Sequence, residues 1–147
     1  MRERTKALAF VGTWVLSLVL VLAAAAAVQP QPVPLRGPLG ARLRIAGEGW
    51  TIDYHPPSTR NNTAFSLLRE ANVTLGFDLD WVEYGWPYED VFVTSINGSR
   101  NDGSRNLWWQ YCVNGAYASQ GALHQEIRDR DTVLWIYAAP GGAELCR

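Results

Sequence analysis

Residues 93–98 (VTSING), 108–115 (WWQYCVNG) and 131–137 (DTVLWIY) set β-branched and aromatic side chains in short runs bounded by Asn-Gly or acidic turns. Such runs fit a pleated, half-buried surface, and Asn97-Gly98 and Asn114-Gly115 supply the positive-φ residues of tight hairpin turns. Upstream, Leu43, Ile45, Trp50, Ile52 and Tyr54 alternate with polar residues around Gly47-Glu48-Gly49. That pattern predicts two strands, or one strand broken by a turn, ending at His55-Pro56-Pro57. Asn62 or Thr63 then caps a short helix whose apolar face is Phe65, Leu67, Leu68 and Ala71, with Arg69 and Glu70 toward solvent. Val73, Leu75, Phe77, Leu79 and Trp81 alternate with Thr74, Gly76, Asp78 and Asp80, which predicts a strand over 73–81 with one wet, acidic face. Gly85-Trp86-Pro87 interrupts the pattern before a strand over 91–96, and the polar segment 98–106 reads as an exposed hairpin tip.

The strand over 107–113 should turn Trp109, Tyr111 and Val113 to one face and Trp108, Gln110 and Cys112 to the other. A short strand over 123–127, a turn at Asp129-Arg130-Asp131 and a last strand over 132–137 complete the reading. One helix among several strands predicts an α+β domain with the helix packed on one face of the sheet. Periodicity alone is equally compatible with a sandwich or a partly open barrel.

The N-terminus changes the picture. Arg2, Arg4 and Lys6 precede an uncharged, mostly apolar run over 7–28. As a helix that run would extend roughly 33 Å, enough to span a bilayer. Ala25-Ala26-Ala27 also offers small residues that a signal peptidase accepts, so residues 1–28 act either as a retained signal anchor or as a cleaved signal peptide. Basic residues on the cytoplasmic side would leave the remainder outside the cytoplasm, on the cell membrane or secreted. Residues 29–40, with alternating prolines in QPQPVP, read as an extended linker, and the domain proper is expected over 41–147.

Four blocks resemble the transcobalamin-like C-terminal domain family, a β-grasp-like module of cobalamin carriers and of many exported prokaryotic proteins. They are residues 63–68 (TAFSLL), 93–98, 108–115 and 131–137, and the resemblance covers about half the chain. It implies a β-grasp-like mixed sheet with one packed helix and a cobalamin-like cofactor as ligand. The chain has Arg130-Asp131 where such domains usually carry Gly-Asp before the last strand.

Candidate chemistry is sparse. A formal net charge of −1, with three of the 13 basic residues in the first six positions, leaves no basic stripe for nucleic acid. His55 and His124 are the only histidines and neither lies in a nucleophile or metal motif, so no enzyme is expected and no metal site is assigned. Asp78, Asp80, Glu83, Glu89 and Asp90 do not match a calcium loop and read as a solvated acidic face. Cys112 and Cys146, in an exported chain, invite a disulfide that fastens the C-terminal tail over the sheet. Asn61, Asn72 and Asn97 open N-x-S/T triplets, glycan acceptors where the host glycosylates its surface proteins.

The aromatic set Trp108, Trp109, Tyr111, Tyr117 and Trp135 is the ligand-binding candidate. Successive side chains on a strand point to opposite faces, so Trp108 and Trp109 cannot both be core. A surfaced ring could stack on a planar ligand such as a corrin, or on a sugar ring. The expected function is therefore a non-catalytic, membrane-tethered ligand-binding module, for which the resemblance suggests a cobalamin-like ligand. The alternative is a structural or adhesive module that meets a cell-surface protein.

Overall fold

The computed structural model describes residues 39–147; the expected anchor or signal over 1–28, and all but the last two residues of the expected linker, lie outside the described residues. The described chain is α+β. Its elements are β1 (Arg42–Ala46), β2 (Thr51–Tyr54), α1 (Ala64–Leu75), β3 (Leu79–Tyr84), β4 (Asp90–Ile96), β5 (Ser99–Arg100), β6 (Trp108–Val113), β7 (Ala116–Tyr117), β8 (Thr132–Ala138) and a 3-10 turn, Gly142–Cys146. The strands form two sheets, one in the order β2-β1-β8-β6-β7 and one in the order β3-β4-β5. β1 runs parallel to β8 and antiparallel to β2, and β6 runs antiparallel to β8.

Register decides the core. Ile45 sits opposite Trp135, which sits opposite Tyr111; Leu43, Val133 and Val113 form the adjacent row. Because strand side chains alternate, these rows share one face, and α1 covers it with Phe65, Leu67, Leu68 and Ala71, all buried. Burying a side chain such as Leu67 or Leu68 contributes about 1.5–3 kcal/mol, so this stripe is what holds the helix on the sheet.

Local chemistry fixes both helix ends. Thr63, with extended φ, accepts from the Ser66 amide at 3.1 Å, and the Ser66 hydroxyl accepts from the Thr63 amide at 3.0 Å, a reciprocal capping box. Gly76 takes the left-handed conformation at φ 76° and donates to the Asn72 carbonyl at 2.8 Å, closing the C-terminus. The helix therefore runs through Val73 and Leu75, which sequence alternation assigned to a strand. Both are exposed, and the strand begins only at Leu79.

Residues 123–127 also differ from expectation. They form a turn and a single isolated bridge from Glu126 to Thr63 rather than a strand, since their backbone is used elsewhere: Ala64 N–H donates to the Gln125 carbonyl at 3.0 Å, and Ile127 N–H donates to the Asn62 carbonyl at 2.8 Å. Just upstream, the Ala122 carbonyl accepts from Phe65 N–H at 3.1 Å. The segment thus satisfies amide donors that a helix start leaves unpaired.

The Asn-Gly turns are as the sequence reads: Asn97 and Gly98 have φ 47° and 79°, Asn114 and Gly115 have φ 51° and 75°, and each pair closes a two-residue hairpin. The short partners they create, β5 and β7, are absent from the sequence reading. β3 is an edge strand blunted by a register shift between Asp80 and Trp81 and by the charges of Asp80 and Glu83.

Cys112 and Cys146 are joined, with Cα atoms 5.8 Å apart, and the bridge pins the 3-10 turn to β6. Glu70 is the other fastener. From α1 its carboxylate accepts from the Tyr54 hydroxyl at 2.8 Å and from the Thr59 hydroxyl and the Asn61 amide, tying the segment after β2 to the helix.

Two stability outcomes follow from these ties. Reducing the disulfide, which spans 34 residues, should cost about 3–4 kcal/mol through loop-closure entropy, read as a lower urea midpoint with dithiothreitol and in Cys112→Ala/Cys146→Ala. Burial pushes the Glu70 pKa up, but the hydrogen bonds from Thr59, Asn61 and Tyr54 outweigh it and leave the folded value below 4.5. A depressed folded pKa means that Glu70 stabilises fully above its unfolded value and loses that contribution as pH falls through the folded one. Glu70→Gln should cost about 1–3 kcal/mol at pH 7, with the difference from wild type shrinking in urea titrations run below pH 4.5.

Candidate functional site

The β3–β4 hairpin projects its aromatic residues into solvent. Its ladder runs from Leu79 opposite Ile96 out to Tyr84 opposite Asp90, and the turn closes with Tyr88 N–H and Glu89 N–H both donating to the Gly85 carbonyl, at 3.1 and 3.2 Å. Along this tip Trp86 is 86% exposed, Tyr88 77% and Tyr84 50%, with Val82 exposed beside them. Among the described residues, none of the three rings pairs with another ring or makes a side-chain hydrogen bond. Large aromatic side chains left in water forgo the burial that makes them valuable in a core, and a cluster of them marks a contact surface.

The tip stands on a fixed base. Asp90 accepts from its neighbour Val91 N–H at 2.8 Å and from Leu123 N–H at 3.3 Å, while His124 Nε2 donates to the Glu89 carbonyl at 3.0 Å. Gly121 lets the Asp90 carboxylate approach closely: a Cβ there would lie 1.2 Å from Asp90 Oδ2. The inner part of the hairpin is packed, with Trp81 edge-on to Phe65 at 5.5 Å and Arg69 over the Trp81 ring at 5.4 Å. Rigid below and apolar above, the hairpin can offer rings to a partner with little ordering cost.

His124 also lines a polar cleft of about 540 Å³, together with Asn114, Gln120, Gln125, Glu126 and Arg128. The base of the hairpin and one wall of the cleft therefore share a residue. Asn114 and Asp131 brace the far side, since the Asn114 side chain donates to Asp131 at 2.7 Å and accepts from Thr132 N–H at 2.9 Å.

The aromatic residues singled out from the sequence are divided by strand alternation. Trp109, Tyr111 and Trp135 lie in the core at 5%, 9% and 3% exposure. Tyr111 stacks on Trp135 at 5.0 Å, and Trp109 sits between Trp50 and Tyr137 while donating to the Ser99 carbonyl at 2.7 Å. Burial, then the nearby Asp90 and Tyr117, push the Tyr111 phenol pKa well up, and its hydroxyl donates to the Gln120 carbonyl. These three rings order the sheet and present no free face to solvent.

Trp108 and Tyr117 lie on the opposite face. Trp108 is half-buried beside Phe92 and donates to Asn106 Oδ1 at 3.0 Å, whereas Tyr117 is exposed and donates to Gln110 Oε1 at 3.0 Å. The row of Gln110 separates them. Tyr84, Trp86 and Tyr88 were missed because Gly85-Trp86-Pro87 reads as an interruption. The available signal was an aromatic residue at every second position through a Gly- and Pro-containing turn.

Of the three glycan triplets, Asn61 and Asn72 commit their side-chain amides to Glu70 and to the Phe77 carbonyl, while Asn97 is exposed on its hairpin turn. Asp80 pairs with Arg100 at 2.8 Å and Glu83 accepts from Trp81 Nε1 at 3.1 Å. Among the described residues, no group of three or more His, Cys, Asp or Glu side chains is placed to hold a metal ion. No described helix is long and apolar enough to cross a membrane.

Residues 62–139, just over half of the chain, match the family model described as Domain of unknown function (DUF4430). No curated protein sequence matches the chain. Solved structures that share the fold include two from different settings. A protein from Ruminococcus gnavus ATCC 29149, described as a candidate metal binding protein, superposes with a TM-score of 0.57 at 14% identity over 70% of this chain and 99% of its own. Haptocorrin in complex with Cbi superposes with a TM-score of 0.58 at 13% identity over 74% of this chain, and the match spans 27% of the haptocorrin chain.

Gly121→Ala tests the base of the hairpin. The added methyl must displace the Asp90 carboxylate, so we expect a loss of about 1–3 kcal/mol and faster amide exchange at Asp90, Val91 and Leu123. Unchanged exchange at those amides would show that Asp90 does not fix the hairpin.

Proposed function

We propose that this chain, which belongs to the DUF4430 family, is a non-catalytic, extracytoplasmic ligand-binding module held at the membrane by its N-terminal segment. In this reading the sheet order β2-β1-β8-β6-β7, with β1 parallel to β8 and α1 between β2 and β3, is a β-grasp-like frame. The β3–β4 hairpin is the element that the frame presents. The observation that carries the reading is the set of three exposed, unpaired rings, Tyr84, Trp86 and Tyr88, on a base fixed by Asp90 and His124. A planar, largely apolar ligand of the corrinoid kind would stack on such rings, and the shared fold of a haptocorrin seen with Cbi supports that ligand class.

One observation favours a second reading, a module that meets another protein on the cell surface. Trp86 and Tyr88 stand on the outside of a turn and do not line the 540 Å³ cleft, whereas small apolar cofactors are usually held in concave pockets. Exposed Trp and Tyr are the side chains that dominate protein interfaces.

Calorimetric titration of the full chain with cobalamin, cobinamide and haem separates the two. Saturable binding that weakens tenfold or more, about 1.4 kcal/mol, in Trp86→Ala identifies a planar-ligand module. Absence of heat from folded protein overturns the corrinoid class. If Trp86→Ala/Tyr88→Ala also leaves the set of surface proteins crosslinked to the full chain unchanged, the hairpin is not the recognition surface.

A further inference from the structure

We propose that the polar cleft beside the hairpin is a subsite for a neutral carbohydrate chain, so that the hairpin rings and the cleft together form an extended glycan-binding surface. The inference rests on the hairpin being the recognition surface and assigns that surface a ligand class other than the corrinoid, which the titrations below separate. A sugar ring has an apolar C–H face and a rim of hydroxyl groups, each both donor and acceptor. A site for it therefore needs aromatic rings for the one and planar side chains of mixed hydrogen-bonding character for the other.

The hairpin and the cleft meet at one residue, His124. The rings are Tyr84, Trp86 and Tyr88; the planar side chains are Gln120, His124, Gln125 and Arg128; and His124 joins the two by donating to the Glu89 carbonyl in the hairpin turn. Several of these groups have capacity to spare. The Gln120 amide and the Arg128 guanidinium make no side-chain hydrogen bond among the described residues. The Gln125 amide donates to the Glu126 carbonyl, which leaves its oxygen free to accept.

Charge and composition disfavour other occupants of the cleft. Arg128 stands among Glu126 and Asp131, and Asp131 is already used by Asn114 and by the Arg128 backbone amide, so no excess of positive charge invites a phosphate. A lining made mostly of amides and charged groups is the opposite of the apolar wall that a corrin or haem requires. An open cleft of about 540 Å³, with His124 in its wall and the exposed rings of residues 84, 86 and 88 in the adjoining hairpin, suits a chain of sugar units better than a single compact molecule.

The test uses the full chain and four neutral oligosaccharides, cellopentaose, chitopentaose, laminaripentaose and maltopentaose, with calorimetry and tryptophan fluorescence as readouts. At least one should bind saturably and perturb the emission of the exposed Trp86. Trp86→Ala should weaken it by tenfold or more, and Gln125→Ala and Arg128→Ala by roughly fivefold each, the loss of one net hydrogen bond. Oligosaccharide binding that responds to Trp86→Ala but not to Gln125→Ala or Arg128→Ala overturns the cleft as a subsite while leaving the hairpin in place. No binding of any oligosaccharide, with corrinoid binding or surface-protein crosslinking still lost in Trp86→Ala, overturns the glycan class but not the hairpin. If all binding is absent or insensitive to Trp86→Ala in folded protein, both this inference and the reading it rests on fail.

Discussion

The parallel pairing of β1 with β8 is the constraint on which everything else depends. It places Leu43 and Ile45 beside Val133 and Trp135, joining strands from the two ends of the described chain. Closing so long a loop carries an entropic cost that no local contact repays, and a parallel pair needs a crossover connection rather than a turn. The return comes from the shared face. Once the strands are side by side, Trp135 can stack on Tyr111 and α1 can lay Leu67 and Leu68 across the row. The chain between β2 and β6 then has to leave the main sheet and come back, and it does so as α1 followed by the β3–β4–β5 sheet. The hairpin that carries the exposed rings exists because the central pair forces an excursion.

Most of this was legible in alternation. The faces of β6 were readable from WWQYCV, and so was the necessity that Trp108 and Trp109 part company, because the period of a strand is two wherever its partner lies. The helix start was legible as a cap at Asn62 or Thr63, and the structure settles on Thr63, with Ser66 completing a reciprocal box within four residues. Two segments were not. Over 73–77 a helix end and a period-two pattern coincide, and only the left-handed conformation at Gly76 decides between them. Over 121–127 the backbone serves the start of α1, a partner more than fifty residues away in sequence, and no local pattern carries that information.

The candidate site was hidden for a related reason. Aromatic richness in a sequence says that rings will be buried or used, without saying which. Trp109, Tyr111 and Trp135 lie on strands paired on both sides, where every inward position is covered, and these rings became core. Tyr84 is the last paired residue of β3, and Trp86 and Tyr88 lie beyond the ladder in the turn, where all three rings are exposed. The same residue types thus have opposite roles, set by whether pairing continues past them.

The position of the hairpin base shows why exposed rings are tolerated here. Asp90 spends its carboxylate on two backbone amides, one of them from the 121–127 segment, and Gly121 has no side chain to hold it off. That segment in turn is held by the N-terminus of α1, so the tip is referenced to the helix, and through the helix to the β1–β8 pair. A projecting apolar turn on a loose stem would find its own burial by collapsing or by aggregating. Fixed through these successive ties, it stays extended, and the free energy of covering its rings is left for a partner to collect.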